Sequence, residues 1–149
     1  MKTEKIKSMM DACYEAKRIL DMLPKLPAGI APSYIRFLDR IECLEQESGK
    51  VYLSDLSTDL NLPRPGVTRT IKEMEAKGYV EKRTSDTDGR MTYLVITEAG
   101  KALSQKYNGD YFSGLAKDLE TMDEEDIDVA IDTIHKVYEI MKGRKNHVA

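Results

Sequence analysis

The chain has 149 residues, of which 41% are hydrophobic and 33% are charged, and its formal net charge is -3. This length and composition predict one ordered, helix-rich domain with its own hydrophobic core. No apolar run approaches the roughly 18 residues of a membrane helix, and MKTEKIKSMM lacks the apolar centre of a secretory signal, so we expect a cytoplasmic protein without membrane partners.

Two amphipathic helices are predicted in the first third of the chain. One side of residues 3–22 carries the apolar side chains Ile6, Met9, Met10, Cys13 and Leu20. This spacing is typical of a helix with one apolar face. The prolines and glycine of LPKLPAGIAP end that helix, and a second helix is predicted from Ser33 to Gln46.

A short helix, a turn and another helix are predicted next. Val51-Tyr52-Leu53 indicates one short strand, and Ser54 is the predicted N-cap of the helix that follows it. The next helix is predicted from about Pro65 to Lys77, where Gly78 ends it. Two helices in this order form a helix-turn-helix.

Residues 79–97 predict a β-hairpin. Asp88-Gly89 separates YVEKRT from MTYLVIT, two runs rich in β-branched and aromatic residues, which is the strongest short-range signal for a tight turn. A type I′ turn there would project Arg90 from the start of the returning strand. A two-stranded ribbon directly after a helix-turn-helix makes the winged variety.

The C-terminal part predicts two more helices. Thr97 is the predicted cap of a helix that runs to about residue 119, and Asp123 is the predicted cap of the last helix. The last helix places five apolar side chains within about 80° of arc: Ile127, Ile131, Ile134, Tyr138 and Met141. From the pattern alone, this stripe packs either within one chain or against a second copy.

The second helix of the helix-turn-helix has two different faces. Val67, Ile71 and Met74 fall within about 60° of arc and form a core stripe. The other side carries Thr68, Arg69 and Lys72, with Arg64 just ahead of the first turn. Arginine can read guanine with two hydrogen bonds, and lysine or threonine can hold phosphate. An ordinary solvated helix face can carry the same residues, so this helix alone does not show whether the protein binds DNA.

The distribution of charge favours the DNA-binding interpretation. Residues 63–90 contain seven Lys/Arg and five Asp/Glu, a net of +2, whereas residues 110–132 contain one lysine and nine Asp/Glu, a net of -8. A negative total therefore hides a locally basic segment. The hairpin adds Lys82, Arg83 and Arg90 to the cations of the helix before it.

Several short motifs follow one another between residues 51 and 103. They are Leu56 and Leu60, Val67-Thr68-Arg69, Gly78-Tyr79-Val80-Glu81-Lys82, Asp88-x-Arg90 and Thr97-Glu98-Ala99-Gly100. Together they resemble the winged-helix core of the MarR family, the multiple-antibiotic-resistance-type transcription regulators of bacteria and archaea. The resemblance implies a mainly α fold with a small β-hairpin. It implies a single domain over 1–149, with the winged core at 30–103 and dimerisation helices at 1–24 and 104–145.

The resemblance also implies a function. The expected protein is a homodimer that binds a pseudo-palindromic site in double-stranded DNA, usually as a repressor, and that a small aromatic or amphipathic ligand releases. The expected DNA-binding residues are Arg64, Thr68, Arg69, Lys72, Lys82, Arg83 and Arg90, with Asp88 and Gly89 stabilising the wing. The expected effector pocket lies between the dimer helices and the winged domain, and its candidate residues are Met10, Cys13, Tyr14 and Tyr34.

The sequence departs from the family pattern in three places. Pro63, Pro65 and Gly66 stand where Ser/Thr-type residues usually open the recognition helix, which removes side-chain contacts there. Lys82 stands where arginine is commoner and cannot form two parallel hydrogen bonds. Ala31 occupies a position often held by threonine, so the cap of the second helix must come from elsewhere.

Other classes of function were weighed on the same residues. A winged-helix protein that binds another protein would lack strong, salt-dependent binding to duplex DNA. An enzyme, such as a thiol peroxidase using Cys13, finds no support in a nucleophile elbow, phosphate loop or paired-histidine motif.

The cysteines and histidines predict little chemistry. Some relatives in the family sense oxidants through a cysteine in the first helix, but Cys13 shares the stripe of Met9 and Met10, so we predict a buried, structural thiol. Two cysteines and two histidines predict no disulfide framework, metal site or cofactor.

Overall fold

The computed structural model describes residues 1–85 and 91–144. The elements in chain order are α1 (Thr3–Asp21), α2 (Pro32–Ser48), β1 (Val51–Tyr52), α3 (Leu53–Leu60), α4 (Arg64–Ala76), β2 (Val80–Thr84), β3 (Thr92–Ile96), α5 (Glu98–Ser104), a π-helical stretch (Gln105–Asp110), α6 (Tyr111–Asp118) and α7 (Glu124–Lys142). This order confirms a mainly α protein with a winged helix-turn-helix, α3 and α4 being the two helices of that motif.

The sheet is antiparallel, with strand order β1-β3-β2. The hairpin continues past its last strand pair, because the Ser85 N–H donates to the Met91 carbonyl at 2.8 Å. On the other side of β3, β1 places Val51 opposite Leu94. The base of the wing is therefore a three-stranded sheet, and the predicted turn at Asp88-Gly89 lies outside the described residues.

The core lies between α2, α3, α4 and one face of the sheet. Its large, fully buried side chains include Leu38, Ile41, Leu56, Ile71, Met74 and Leu94. Complete burial of a side chain of this size contributes about 1.5–3 kcal/mol. The predicted stripe of α4 is confirmed, since Val67, Ile71 and Met74 are all 0% exposed.

The start of α3 differs from the sequence prediction. The sequence predicts Ser54 as the N-cap, but the helix begins at Leu53 and its N-cap is Tyr52. The Tyr52 N–H donates to Asp55 Oδ2 at 3.0 Å. A carboxylate in the first turn, which also suits the positive end of the helix dipole, therefore replaces the predicted hydroxyl cap.

The helix predicted from Thr97 to about residue 119 is interrupted. It changes to the π-helical stretch after Ser104 and returns to α-helix at Tyr111. Within this stretch, the Asn108 side-chain amide donates to the Ile35 carbonyl at 3.0 Å and to Ser104 Oγ at 2.9 Å. The sequence misses the interruption because the bonds that accompany it depend on α2, which is remote in sequence.

The chain divides into two units, Met1–Asn108 and Gly109–Ala149. Helix α1 of the first unit and α7 of the second each bury none of their residues. Their exposed large apolar side chains include Ile6, Tyr14, Ile19 and Leu20 on α1, and Ile127, Val129, Ile131, Ile134, Tyr138, Ile140 and Met141 on α7. Among the described residues, no helix is long and apolar enough to cross a membrane.

The end of α4, the base of the wing and the start of α5 meet at one backbone junction. Thr97 caps α5 as predicted, because its Oγ1 accepts from the Gly100 N–H at 3.1 Å, and the same hydroxyl donates to the Gly78 carbonyl at 2.6 Å. The Thr97 N–H donates to the Tyr79 carbonyl at 3.1 Å. A Cβ at Gly100 would collide with that carbonyl oxygen and lie 2.8 Å from Ile96 Cγ2.

We therefore expect Gly100→Ala to lower the free energy of unfolding by about 1–3 kcal/mol, the usual cost of forcing an extra carbon into a packed site. Urea denaturation followed by circular dichroism measures it. Gly66→Ala in α4 is the matched control, because a Cβ there meets nothing within 4 Å. Alanine is also the better helix former, by about 1 kcal/mol at most. A Gly100→Ala protein as stable as the control would contradict the packing account.

Candidate nucleic-acid interface

Helix α4 separates its buried residues from its cations. Arg69 and Lys72 lie on the side of the helix away from the buried stripe, and Arg64 is the first residue of the helix. All three side chains are exposed, and we refer to these three as the α4 cations. In the part of the chain that the structure describes, none of them forms an ion pair. Thr68, the fourth predicted DNA-binding residue of α4, is half-buried. The structure therefore exposes all three predicted cations of α4.

The N-terminus of α4 is open. The helix begins at Arg64, one residue before the predicted Pro65, and its N-cap Pro63 makes no side-chain capping bond. Proline in the first turn removes an N–H that would lack a helical partner in any case. The uncapped first turn retains the positive end of the helix dipole beside Arg64, an arrangement that favours an anion such as phosphate.

The C-terminal half of α4 is held by α2. The Tyr34 hydroxyl donates to Glu73 Oε2 at 2.9 Å. The Lys77 ammonium donates to the Gly29 carbonyl, and its Nζ lies 5.2 Å from the centroid of the Tyr34 ring. These polar contacts lie in the C-terminal half of α4 and at its C-cap, and they involve none of the α4 cations.

Helix α2 also holds α3. Arg40 Nε donates to Asp59 Oδ2 at 2.7 Å, and its Nη2 donates to Oδ1 at 3.0 Å. The hydrogen bonds to Asp59 are the main reason why the pKa of Arg40 is raised above its ordinary value. After α3, Asn61 adopts the left-handed conformation, with φ at +53°, and turns the chain towards α4. Both helices of the helix-turn-helix are therefore anchored to α2.

The wing base does not present its two predicted cations together. Lys82 and Arg83, which we refer to as the wing-base cations, are neighbours on β2 and therefore point to opposite faces of the sheet. Lys82 Nζ lies 3.8 Å from Glu75 Oε1 of α4. Arg83 Nη2 lies 3.1 Å from Glu81 Oε2 on the same strand. The sequence places both cations at the interface but contains no short-range signal for these carboxylate partners.

The predicted wing-tip residues Asp88, Gly89 and Arg90 lie outside the described residues. Their roles stay predictions from the sequence.

The candidate effector-binding residues occupy different environments. Tyr34 is 2% exposed and belongs to the winged-helix core, while Tyr14 on α1 is 70% exposed. Met10 is half-buried. The prediction of a buried Cys13 is wrong, because this thiol is exposed in the single chain. Apolar periodicity identified one side of α1 but not whether the same chain covers it.

Metal binding finds no support in the described ranges. Within residues 1–85 and 91–144, no three His, Cys, Asp or Glu side chains are grouped so that they could hold a metal ion.

Comparison with known proteins finds a family model that matches part of the chain. Residues 29–91 match the model of the MarR family. The chain is also similar to the transcriptional repressor MprA of Escherichia coli strain K12, with 38% identity over 64 residues. That match covers 43% of this chain and 36% of MprA, so this chain corresponds to little more than a third of the relative.

Solved structures share the fold over nearly the whole chain. AbsC, a MarR family transcriptional regulator from Streptomyces coelicolor, has a TM-score of 0.74 at 20% identity, covering 97% of this chain and 99% of AbsC. FabT of Streptococcus pneumoniae, solved in complex with DNA, has a TM-score of 0.66 at 19% identity, covering 97% and 100%. The PcaV regulator of Streptomyces coelicolor, solved with its natural ligand, has a TM-score of 0.60 at 13% identity, covering 90% and 89%.

The anchoring of α4 by α2 predicts different effects of removing two tyrosine hydroxyls. Tyr34→Phe should lower the free energy of unfolding by about 1–2 kcal/mol, because it deletes a hydrogen bond to a carboxylate. Tyr14→Phe, at the exposed position on α1, should change it by less than about 0.5 kcal/mol. Urea denaturation of both variants measures the difference, and equal stabilities would show that the Tyr34–Glu73 bond does not hold α4.

Proposed function

We propose that this chain is a member of the MarR family, whose model matches residues 29–91, and that it is a sequence-specific DNA-binding transcriptional regulator that works as a homodimer. The observation that carries the proposal is the set of α4 cations, which are exposed, have no carboxylate partner among the described residues, and include Arg64 at the open N-terminus of the helix. The likeness in fold to FabT, which was solved with DNA, supports it. A winged-helix module that binds a protein would not need this unpaired positive charge.

The proposed complex places α4 in the major groove. Arg69 and Arg64 are the side chains able to read guanine, and Lys72 and Thr68 would contact phosphates. The wing would reach the adjacent minor groove, where the negative potential of narrow A·T-rich DNA attracts arginine. Arg90 is the side chain that we propose for that role, with Asp88 and Gly89 shaping the turn that carries it.

A second copy would cover the apolar faces of the terminal helices. Helices α1 and α7 bury no residue in the chain although both carry several large apolar side chains. We propose that residues 1–24 and 104–145 form the dimerisation helices and that the winged core spans 30–103. A two-fold dimer would present two α4 helices to a pseudo-palindromic operator.

Regulation by a small ligand completes the proposal. MprA is described as a transcriptional repressor and PcaV was solved with its natural ligand. By analogy, we propose that this chain represses transcription and that an aromatic or amphipathic ligand releases it from DNA. Of the candidate ligand contacts, Met10, Cys13 and Tyr14 lie on α1, whereas the Tyr34 hydroxyl is already bonded to Glu73.

The DNA-binding proposal predicts that Arg69→Ala weakens operator binding by about 1–3 kcal/mol per subunit, the scale of one good base contact. Fluorescence anisotropy with the palindromic DNA upstream of the coding sequence measures it, over a range of salt concentrations. Lys101→Ala is the matched control, because it removes an exposed cation that lies on α5, 3.5 Å from Glu98. Equal affinity of the two variants for DNA would show that Arg69 of α4 does not contribute to DNA binding.

The dimer proposal predicts that the wild-type chain sediments as a dimer at micromolar concentration. Ile134→Asp should give monomers, because it places a charge in the predicted apolar stripe, where the wild-type side chain is 61% exposed in the single chain. Val129→Asp is the matched control on the same helix. Val129 is 64% exposed but lies on the side of α7 opposite the stripe. A wild-type monomer, or a dimer that survives Ile134→Asp, would count against this interface.

A further inference from the structure

The charged side chains of α4 and β2 fall into two groups. The α4 cations have no ion pair within the described ranges, whereas each wing-base cation lies beside a carboxylate. Glu75 approaches Lys82, and Glu81 approaches Arg83. Positive charge is therefore left uncompensated on α4 and locally neutralised at the wing base.

These two ion pairs contribute little to the fold. Their side chains are 25% and 42% exposed for Lys82 and Glu75, and 54% and 55% exposed for Arg83 and Glu81. Ion pairs of such exposure are weak because water screens them. The 3.8 Å between Lys82 Nζ and Glu75 Oε1 is also too long for a hydrogen bond. Their main effect is therefore to change how strongly this surface attracts a charged molecule that approaches it.

A carboxylate beside a lysine or arginine occupies the position that a phosphate oxygen would take. A cation that is already neutralised gains less from a phosphate and releases fewer counterions when DNA binds. The carboxylate itself also repels the phosphate. We propose that Glu75 and Glu81 are affinity-limiting residues, which compete with DNA phosphates for the wing-base cations. This inference rests on the DNA binding proposed above.

Glu73 shows that the arrangement is specific to these two carboxylates. It precedes Glu75 by two positions on α4, but its Oε2 accepts a hydrogen bond from the Tyr34 hydroxyl of α2. Glu73 is thus part of the anchoring of α4, and among the described residues only Glu75 and Glu81 form ion pairs with the wing-base cations.

The test replaces each carboxylate by its uncharged isostere. Glu75→Gln and Glu81→Gln should each tighten binding to a fluorescein-labelled duplex of unrelated sequence by about five-fold per subunit near 0.15 M salt, the gain from one restored phosphate contact. The dependence of log K on log salt should steepen by about 0.9 per subunit for each variant. Fluorescence anisotropy at several salt concentrations measures both quantities.

Asp132→Asn is the matched control for net charge. It removes a carboxylate whose Oδ2 lies 2.8 Å from Lys136 Nζ. This ion pair between aspartate and lysine is exposed and lies on α7, far from α4 and β2 in the sequence. Its affinity for the duplex should stay within about two-fold of wild type. Thermal unfolding followed by circular dichroism should give wild-type curves for all three variants.

A double-mutant cycle tests whether the gain passes through the proposed partner. In a Lys82→Gln background, Glu75→Gln should no longer tighten binding, because the cation that it would release is gone. The same holds for Glu81→Gln in an Arg83→Gln background. A gain that persists in these backgrounds would overturn the competition account.

The remaining outcomes separate this inference from the proposed function. A wild-type protein without salt-dependent binding to duplex DNA would overturn the proposed function. A wild-type protein that binds DNA, while neither glutamine variant binds more tightly, would overturn the inference alone. An equal gain in Asp132→Asn would also overturn it, because net charge would then explain the effect.

Discussion

The close approach of Gly100 to the Tyr79 carbonyl is the constraint on which the geometry of the wing depends. That carbonyl also accepts the Thr97 N–H, and the Thr97 hydroxyl joins the Gly78 carbonyl to the start of α5. The end of α4, the base of the hairpin and the start of α5 therefore meet in one set of contacts. Because backbone groups have little freedom once bonded, the angle between α4 and the sheet is fixed at this junction.

A second feature is that the residues of α4 that pack against the rest of the domain are different from its exposed cations. Its buried stripe packs in the core, and its Glu73 accepts a hydrogen bond from Tyr34 of α2. Arg40 and Asp59 fix α3 to the same helix. The α4 cations take part in none of these contacts, so substitutions there can change the proposed DNA recognition without changing the fold.

The sequence predicts what depends on near neighbours and misses what depends on distant ones. The buried stripe of α4 and the cap at Thr97 follow from periodicity and from a bond across three residues, so both are confirmed. Ser54 lies inside α3 because Asp55 bonds the Tyr52 N–H and the helix begins at Leu53, a choice between neighbouring starts that residue preference alone does not make. The exposure of Cys13 and the interruption at the π-helical stretch depend on which surfaces meet in three dimensions. The carboxylate partners of the wing-base cations are missed for the same reason.

Local pairing, and not the total charge of -3, decides how this surface meets an anion. At physiological ionic strength the Debye length is about 8 Å, so the potential at a cation is governed by the charges nearest to it. Glu75 and Glu81 lie within 4.0 Å of the wing-base cations, and Glu73 is engaged by Tyr34. The α4 cations have no such neighbour in the described part of the chain. An acidic protein can therefore keep positive charge on one helix without a neighbouring carboxylate among the described residues, whereas the cations at the base of its wing are locally neutralised.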